Sequence, residues 1–348
     1  MKLKFLILFV SIFTLFSCGP RDAKSYIERG KIYVKEQKLD KAIADFTTAI
    51  KLEPNNSEAY CNRGHAYSDK WILKLAISDL SVALKINPKN VEAFYWRARS
   101  YSRSEKYDLA IRDFTAAIKI EPKKTEAYFY RADAYSEQNK LDSAIRDFTA
   151  AIKVNFKYQY AYSYRGLTYK KLKKFDSAIA DYTEEIKRYP DESMTFSFRG
   201  STYKKQGKYK LALQDFDKAI KIAPKDNDAY RGRGEVYSDL KNYKLAILDF
   251  TTAIKLNPED YLSYHYRGEC YVVIKEYKLA LSDFNMSIKI NPDRASTYVS
   301  RGDLFRVLGK IDIAIDDYKI AADLGLEDGR KLLNYFHNID YPTGTTSK

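Results

Sequence analysis

Tyr60–Tyr67 reads YCNRGHAY, Tyr162–Tyr169 reads YSYRGLTY and Tyr230–Tyr237 reads YRGRGEVY. Each octet has a tyrosine at both ends and an Arg-Gly pair between them, and the three starts are separated by multiples of 34 residues. A period of that length decides how the 348 residues are read. The usual prior of roughly 100–200 residues per domain does not hold for repeat proteins. The first octet raises a second question. Cys61 and His65 stand four apart, which on a helix puts a thiol and an imidazole on one face. That spacing suits a nucleophile with its base, or half of a metal site.

The period runs through the chain. Pro54, Pro88, Pro122, Pro190, Pro224, Pro258 and Pro292 fall in step, with Phe156 in the one vacant slot. Nine repeats result, 23–56, 57–90 and onward without insertion to 295–328. The fourth and eleventh places are aromatic in all nine, from Tyr26 and Tyr33 to Tyr298 and Phe305. Alanine holds the twentieth place throughout, Ala42 to Ala314, and an aromatic holds the twenty-fourth except at Leu80. Places 4, 8 and 11 recur at helical spacing, as do places 17, 20, 21, 24 and 28, so each repeat contains two amphipathic helices. The proline at place 32 ends the second, because the residue before a proline disfavours the α region. Asn or Asp at place 34, as in Asn56, Asn90, Asp226 and Asp260, is suited to cap the next helix. Small residues at places 8, 20 and 27 permit close helix approach. Much of the excess of 31 tyrosines is therefore scaffold.

This pattern, Y-x2-R-G-x2-Y followed by A-x3-F and P, resembles the tetratricopeptide repeat, a 34-residue helix–turn–helix. The resemblance covers residues 23–328 and implies an all-α fold: a right-handed α-solenoid superhelix of nine helix-turn-helix repeats. Leu326, Leu332, Leu333 and Phe336 then form one face of a capping helix at 329–339, before a loose tail at 340–348. A solenoid end needs such a polar-backed cover. Where the family pattern has leucine, place 7 is arginine in every repeat, and place 23 is always aspartate. A pair repeated nine times is architectural. Arg63 with Asp79, Arg97 with Asp113 and Arg131 with Asp147 are expected to form bidentate clasps, within a repeat or across to its neighbour.

The first residues differ from the rest. Lys2 and Lys4 precede an apolar run from Phe5 to Phe16, shorter than the ~20 residues that span a bilayer. Leu15-Phe16-Ser17-Cys18 resembles a bacterial lipobox, with Phe16 departing from its usual smaller or aliphatic residue. The reading is a signal peptide at 1–17, acylation at Cys18 and a short tether through residue 22. An ordinary cleaved signal is the alternative, although the usual small-x-small site is missing. Cys61 and Cys270 do not form a disulfide framework.

Nothing in the chain carries an enzyme signature: there is no phosphate-binding glycine loop, H-E-x-x-H or G-x-S-x-G. Cys61 and His65 fall at places 5 and 9, which the resemblance assigns to groove lining, and no third catalytic or ligating residue accompanies them. Neither a catalytic residue, a metal site nor a cofactor is expected. In this family ligands commonly contact places 2, 5, 6, 9, 12 and 13 along a concave groove. Here those places carry an aromatic ladder with alternating charge, and Tyr95, Trp96, Arg99, Phe129, Tyr130, Asp133, Tyr164, Lys170, Phe198 and Lys204 are the candidate binding residues. Some of the rings could equally pack against the next repeat. Phe156, Tyr158 and Tyr160 add aromatics where the proline is missing. Glu185 is the odd residue at place 27, read either as a soft joint or as a charge reaching water.

The formal charge of +14 lies largely outside the groove. Place 29 is a lysine in most repeats, from Lys51 to Lys289, where a cation suits the helix dipole. Nucleic acid needs a continuous basic track, and the groove alternates in sign. A basic outer surface along anionic lipid remains a reading. The expectation is a non-enzymatic adaptor of the bacterial cell envelope, anchored by lipid with the outer membrane favoured. It faces the periplasm or the cell surface and holds a protein or peptide in its groove. A surface-exposed lipoprotein binding host or matrix proteins, and a carrier or sensor for a small molecule or glycan, are the alternatives.

Overall fold

The computed structural model describes residues 22–337, and the leader at 1–17, Cys18 and the tail at 340–348 lie outside them. Among the described residues there are nineteen α-helices and no strands. The chain forms two compact units that divide between Leu172 and Lys173, inside the fifth repeat. The N-terminal unit contains α1 (Ala23–Lys35), α2 (Leu39–Leu52), α3 (Ser57–Asp69), α4 (Leu73–Ile86), α5 (Val91–Arg103), α6 (Tyr107–Ile120), α7 (Thr125–Glu137), α8 (Leu141–Val154) and α9 (Ala161–Lys171). The C-terminal unit contains α10 (Phe175–Arg188), α11 (Ser193–Lys205), α12 (Tyr209–Ile222), α13 (Asn227–Asp239), α14 (Tyr243–Leu256), α15 (Tyr261–Val273), α16 (Tyr277–Ile290), α17 (Ala295–Val307), α18 (Ile311–Asp323) and α19 (Glu327–His337). Within each unit a first helix packs on its own second helix, and that second helix packs on the first helix of the next repeat.

The turn inside each repeat follows from backbone geometry. Its central residue adopts the left-handed region, whether glycine (Gly207, Gly309) or not (Gln37, Trp71, Asn139, Lys241). The next amide then donates back to the aromatic at place 11, as Lys38 N does to Tyr33 O at 2.8 Å and Ile72 N to Tyr67 O at 2.9 Å. This is the Schellman pattern that satisfies the last carbonyls of a helix. At the helix starts, Asn56 accepts from Ala59 N, Asn90 from Ala93 N and Asp226 from Asp228 N and Ala229 N. Asp260 departs from the expected cap. Its carboxylate accepts from Arg231 Nη1 at 2.8 Å and from Ser263 Oγ at 2.7 Å, because the neighbouring guanidinium outcompetes a backbone amide for it. Where Phe156 replaces proline, α9 begins late, after Tyr160 in the left-handed region.

The core is built on one ring per repeat, with a leucine in its place in the second. Phe46, Phe114, Phe148, Phe250 and Phe284 at place 24 are fully buried, and Leu80 fills the same place. Opposite each ring is place 8. A Cβ on Gly30 would lie 2.5 Å from Phe46 Cε1, and one on Gly268 would lie 2.7 Å from Phe284 Cε1. These glycines let the ring touch helix backbone, and Ala98 and Ala132 hold the same place beside Phe114 and Phe148. Glu185 is fully buried in α10, so it does not reach water. In α19, Leu333 is buried and Leu332 partly so against Ala314, Ile315, Tyr318 and Ala322, closing the last layer. The helix begins at Glu327, two residues ahead of the expected start.

Phe250→Ala is expected to cost about 3–5 kcal/mol by leaving a cavity. Lys255→Ala, exposed on the same helix, should stay within about 0.5 kcal/mol of the parent. Urea unfolding followed by far-ultraviolet circular dichroism distinguishes the two.

Candidate functional site

The arginine of each octet is the junction on which the first-helix face is built. Arg63 Nε donates to Asp79 Oδ2 at 2.7 Å and Nη2 to Oδ1 at 2.9 Å, so two parallel bonds join α3 to α4. The remaining Nη1 reaches Thr47 Oγ1 on α2 at 3.1 Å. One side chain thus holds its own helix pair and the repeat before it. The guanidinium carbon also lies 5.6 Å from the Tyr60 ring centroid and 6.0 Å from that of Tyr67, so the framework tyrosines flank it. Arg97 repeats this with Asp113 and Ser81, and Arg131 with Asp147 and Thr115. In the C-terminal unit Arg199, Arg233, Arg267 and Arg301 do the same with the aspartate sixteen residues on, and with Thr183, Asp217, Thr251 and Asn285 of the preceding repeat. The polar residue at place 25 was not singled out in the sequence, although its hydroxyl, amide or carboxylate recurs there.

The candidate groove residues separate into three groups. The first is packed on itself. Tyr95 and Phe129 at place 5 are buried in the core and do not line an open groove. Places 5 and 8 are one helical turn apart and face the same way, so place 5 follows the core glycine or alanine inward. Trp96 stacks on His65, with centroids 3.5 Å apart. Arg99 lies 3.6 Å from the Tyr130 centroid and donates to Tyr95 Oη at 3.1 Å. Burial pushes the Tyr95 phenol above its ordinary range, which keeps it neutral.

Cys61 and His65 are likewise resolved by their surroundings. Cys61 is buried beside Ala76 and Leu80, and burial, reinforced by Glu92 and Glu58, pushes its thiol up to about 12. A thiol so held is not a nucleophile. His65 Nε2 lies 3.0 Å from Asp69 Oδ2, which it holds below the usual carboxylate range through that hydrogen bond. No group of three or more potential ligands suited to a metal occurs among the described residues.

The second group is a cavity of about 410 Å³ in the N-terminal unit, lined by Asp133, Ser136, Glu137, Tyr164, Leu167, Thr168, Lys170 and Lys171. It unites three predicted residues, Asp133, Tyr164 and Lys170. Asp133 is raised above its ordinary range by burial and by Glu137. Apolar Leu167 and Tyr164 with both charge signs around them suit a side chain that is apolar in body and polar at its tip. Tyr158 packs edge-on to Phe129 at 5.3 Å behind this group, whereas Phe156 is exposed.

The third group lies in the C-terminal unit. A cavity of about 280 Å³ is lined by Ser197, Phe198, Ser201, Lys204, Phe216, Asp228, Arg231, Gly232 and Glu235. Phe198 and Lys204 were predicted. Lys204 pairs with Glu235, while Arg231 pairs with Asp228 and Asp260. Gly232 holds place 6, where other repeats present a ring such as Tyr130 or Tyr266, and a Cβ there would meet the Phe216 ring at 2.4 Å. The glycine in an aromatic column was the signal available in the sequence.

A family model described as "TPR repeat" matches residues 30–70. Two described as "Tetratricopeptide repeat" match 95–153 with 131–193, and 194–226 with 228–260. Together they span more than half of the chain. The chain belongs to the tetratricopeptide-repeat family. Solved structures with similar folds include a tetratricopeptide repeat protein from Parabacteroides merdae, with a TM-score of 0.60, 22% identity and coverage of 70% of this chain and 97% of that one. The Cut9–Hcn1 hetero-tetramer of the APC/C gives 0.59 at 14% identity, covering 90% and 75%. Yeast Tom70 gives 0.52 at 15%, covering 89% and 87%. These likenesses concern the fold. No curated protein matches the chain.

One tetratricopeptide position supplies a pH response. His265, at place 5 of α15, is 3% exposed, with Nε2 3.4 Å from Glu269 Oε1 and Nδ1 without a hydrogen bond. Burial, with Arg294 nearby, lowers its pKa to about 4. Burial therefore favours the neutral imidazole. Because the folded value is depressed, the unfolded chain binds the extra proton first. The stability is intact above the unfolded value of 6.5 and is lost as pH falls from there towards 4. The unfolding free energy from urea titrations across that window should fall more steeply for the native chain than for His265→Gln, a difference of up to about 3 kcal/mol.

Proposed function

We propose that this protein is a non-enzymatic scaffold that holds a protein or peptide partner along its first-helix face. Tetratricopeptide repeats typically mediate protein–protein interaction, and the observation that carries the reading here is the cavity of about 410 Å³ beside Tyr164 and Leu167. Its walls combine an aromatic ring, an aliphatic side chain and paired carboxylates and lysines. A partner side chain entering it meets apolar area and charge together, the composition from which interface anchors are built. The similar fold of the Cut9–Hcn1 structure comes from a hetero-tetramer, which supports reading such a frame as protein-binding.

The leader and Cys18 extend the proposal to a scaffold tethered to a membrane by lipid, working in bacterial envelope assembly or regulation. Multiple acyl chains anchor stably because each buried CH₂ contributes ~0.8 kcal/mol. With Cys18 four residues before Asp22, the cap of the first described helix, the tether is short.

Site-specific photo-crosslinking in cells tests the partner. A photoreactive residue replacing Leu167 should give a discrete protein adduct, and the same residue at exposed Lys119 should not. Intact protein with no adduct at Leu167 would count against the scaffold reading and favour a small ligand in the cavity.

A further inference from the structure

The C-terminal unit carries an exposed feature that neither the core nor the cavities explain. Leu211, Leu240, Leu245, Ile274, Leu279 and Leu308 are each between 37% and 47% exposed. They come from only two places in the repeat: 14, at the end of the first helix, and 19, in the first turn of the second. Both places border the turn inside the repeat, so the side chains recur once per repeat along one edge of the unit. Val273 and Val307, one place earlier, extend the same edge. Among the described residues, the N-terminal unit shows comparable exposure at only one turn, that of Trp71, Ile72 and Leu75.

Neighbouring repeats show what this edge has replaced. Place 14 of one repeat meets place 18 of the repeat before it. At two junctions of the N-terminal unit that meeting is a polar bond: Lys70 binds Asp40, and Gln138 Nε2 donates to Asp108 Oδ1 at 2.9 Å, while the same places at its other two junctions hold Ser104 with Lys74 and Leu172 with Asp142. The first such junction of the C-terminal unit has the polar bond, Gln206 Nε2 donating to Asp176 Oδ1 at 2.9 Å. At the next three junctions the same two places hold Leu240 with Lys210, Ile274 with Lys244 and Leu308 with Lys278. Each of these pairs sets an exposed aliphatic side chain beside a lysine where Gln206 and Asp176 share a hydrogen bond.

We infer that this edge of the C-terminal unit is a docking surface for an anionic phospholipid bilayer. Charge complementarity identifies the partner. Between residues 208 and 278 the turns expose Lys208, Lys210, Lys241, Lys244, Lys275 and Lys278, against the acids Asp239 and Glu276. None of the six lysines forms an ion pair among the described residues, so their charge faces outward. Aliphatic side chains with lysines beside them enter the headgroup boundary together: the apolar part inserts while the ammonium groups stay at the phosphates. Tyr209, Tyr243 and Tyr277, half-buried at place 17, put phenolic rings at the same level, where aromatic side chains favour the membrane–water interface. A second copy of the chain would set one lysine row against another, which Coulomb repulsion disfavours. This inference does not depend on the lipid at Cys18 or on the first-helix cavities.

The test uses the full chain reconstituted in vesicles. An environment-sensitive fluorophore is attached through Leu245→Cys or Leu279→Cys, with Lys221→Cys as control. The parent chain carried through the same labelling sets the background from Cys18, Cys61 and Cys270. In vesicles containing phosphatidylglycerol, a nitroxide-bearing phospholipid should quench the probes at 245 and 279 several-fold more than the probe at 221. That difference should disappear in phosphatidylcholine vesicles and in the Lys244→Glu/Lys278→Glu variant. Equal quenching at the three sites, or no dependence on lipid charge, would overturn the inference. So would probes at 245 and 279 that are unquenched by lipid but become shielded from aqueous iodide when unlabelled chain is added, an outcome that assigns the edge to self-association.

Discussion

The structure depends on a guanidinium held in three directions at once. In each repeat whose two helices lie in one compact unit, the arginine at place 7 binds the aspartate at place 23 through two hydrogen bonds. After the first repeat, its third nitrogen reaches back to place 25 of the preceding repeat. Tyrosine or phenylalanine rings at places 4 and 11 flank it. A helix pair of some 30 residues cannot bury a core alone, so a repeat protein is held by what joins neighbours. Here the joint is electrostatic and directional as well as apolar. A buried ion pair adds little net stability against a hydrophobic substitute, but it penalises any register in which one charge loses its partner. The recurring arginine therefore fixes register while the rings at place 24 supply the apolar burial.

This division of labour frees other positions. With packing assigned to places 8, 20, 24 and 27, and register to 7, 23 and 25, places 6, 9 and 13 of the first helix can vary without loss of fold. They do vary: Trp96 against His65, Tyr164 beside Leu167, and Gly232 over Phe216 produce three different local surfaces on one repeated frame. The turn edge is free in the same way, and its composition changes from polar bridges to leucine and lysine along the C-terminal unit.

The frame was legible in the sequence because it is periodic. Places 4, 7, 8, 11, 20, 23 and 24 could be read from nine copies, and the arginine–aspartate pairing followed from its recurrence. Surfaces do not repeat, so they were legible only in part. Tyr95 and Phe129 appeared to line a groove because they neighbour Trp96 and Tyr130, yet one residue along a helix turns the side chain by about 100°, enough to put place 5 in the core. Asp260 looked like a cap by position, but Arg231, twenty-nine residues earlier, takes its carboxylate. Leu167 entered the cavity only once α9 was placed beside Asp133. The role of place 25 was hidden by its chemistry changing among threonine, serine, aspartate and asparagine while the function of accepting a hydrogen bond stayed constant.

The most direct measurement of the central claim is a double-mutant cycle on Arg131 and Asp147. Arg131→Met and Asp147→Leu should each cost about 3–5 kcal/mol by stranding the other charge. The double variant should cost less than either, so the coupling energy should be at least about 3 kcal/mol. Single effects that are small, or that simply add in the double variant, would contradict the account, because the guanidinium would then not be the joint that sets the register of the repeats.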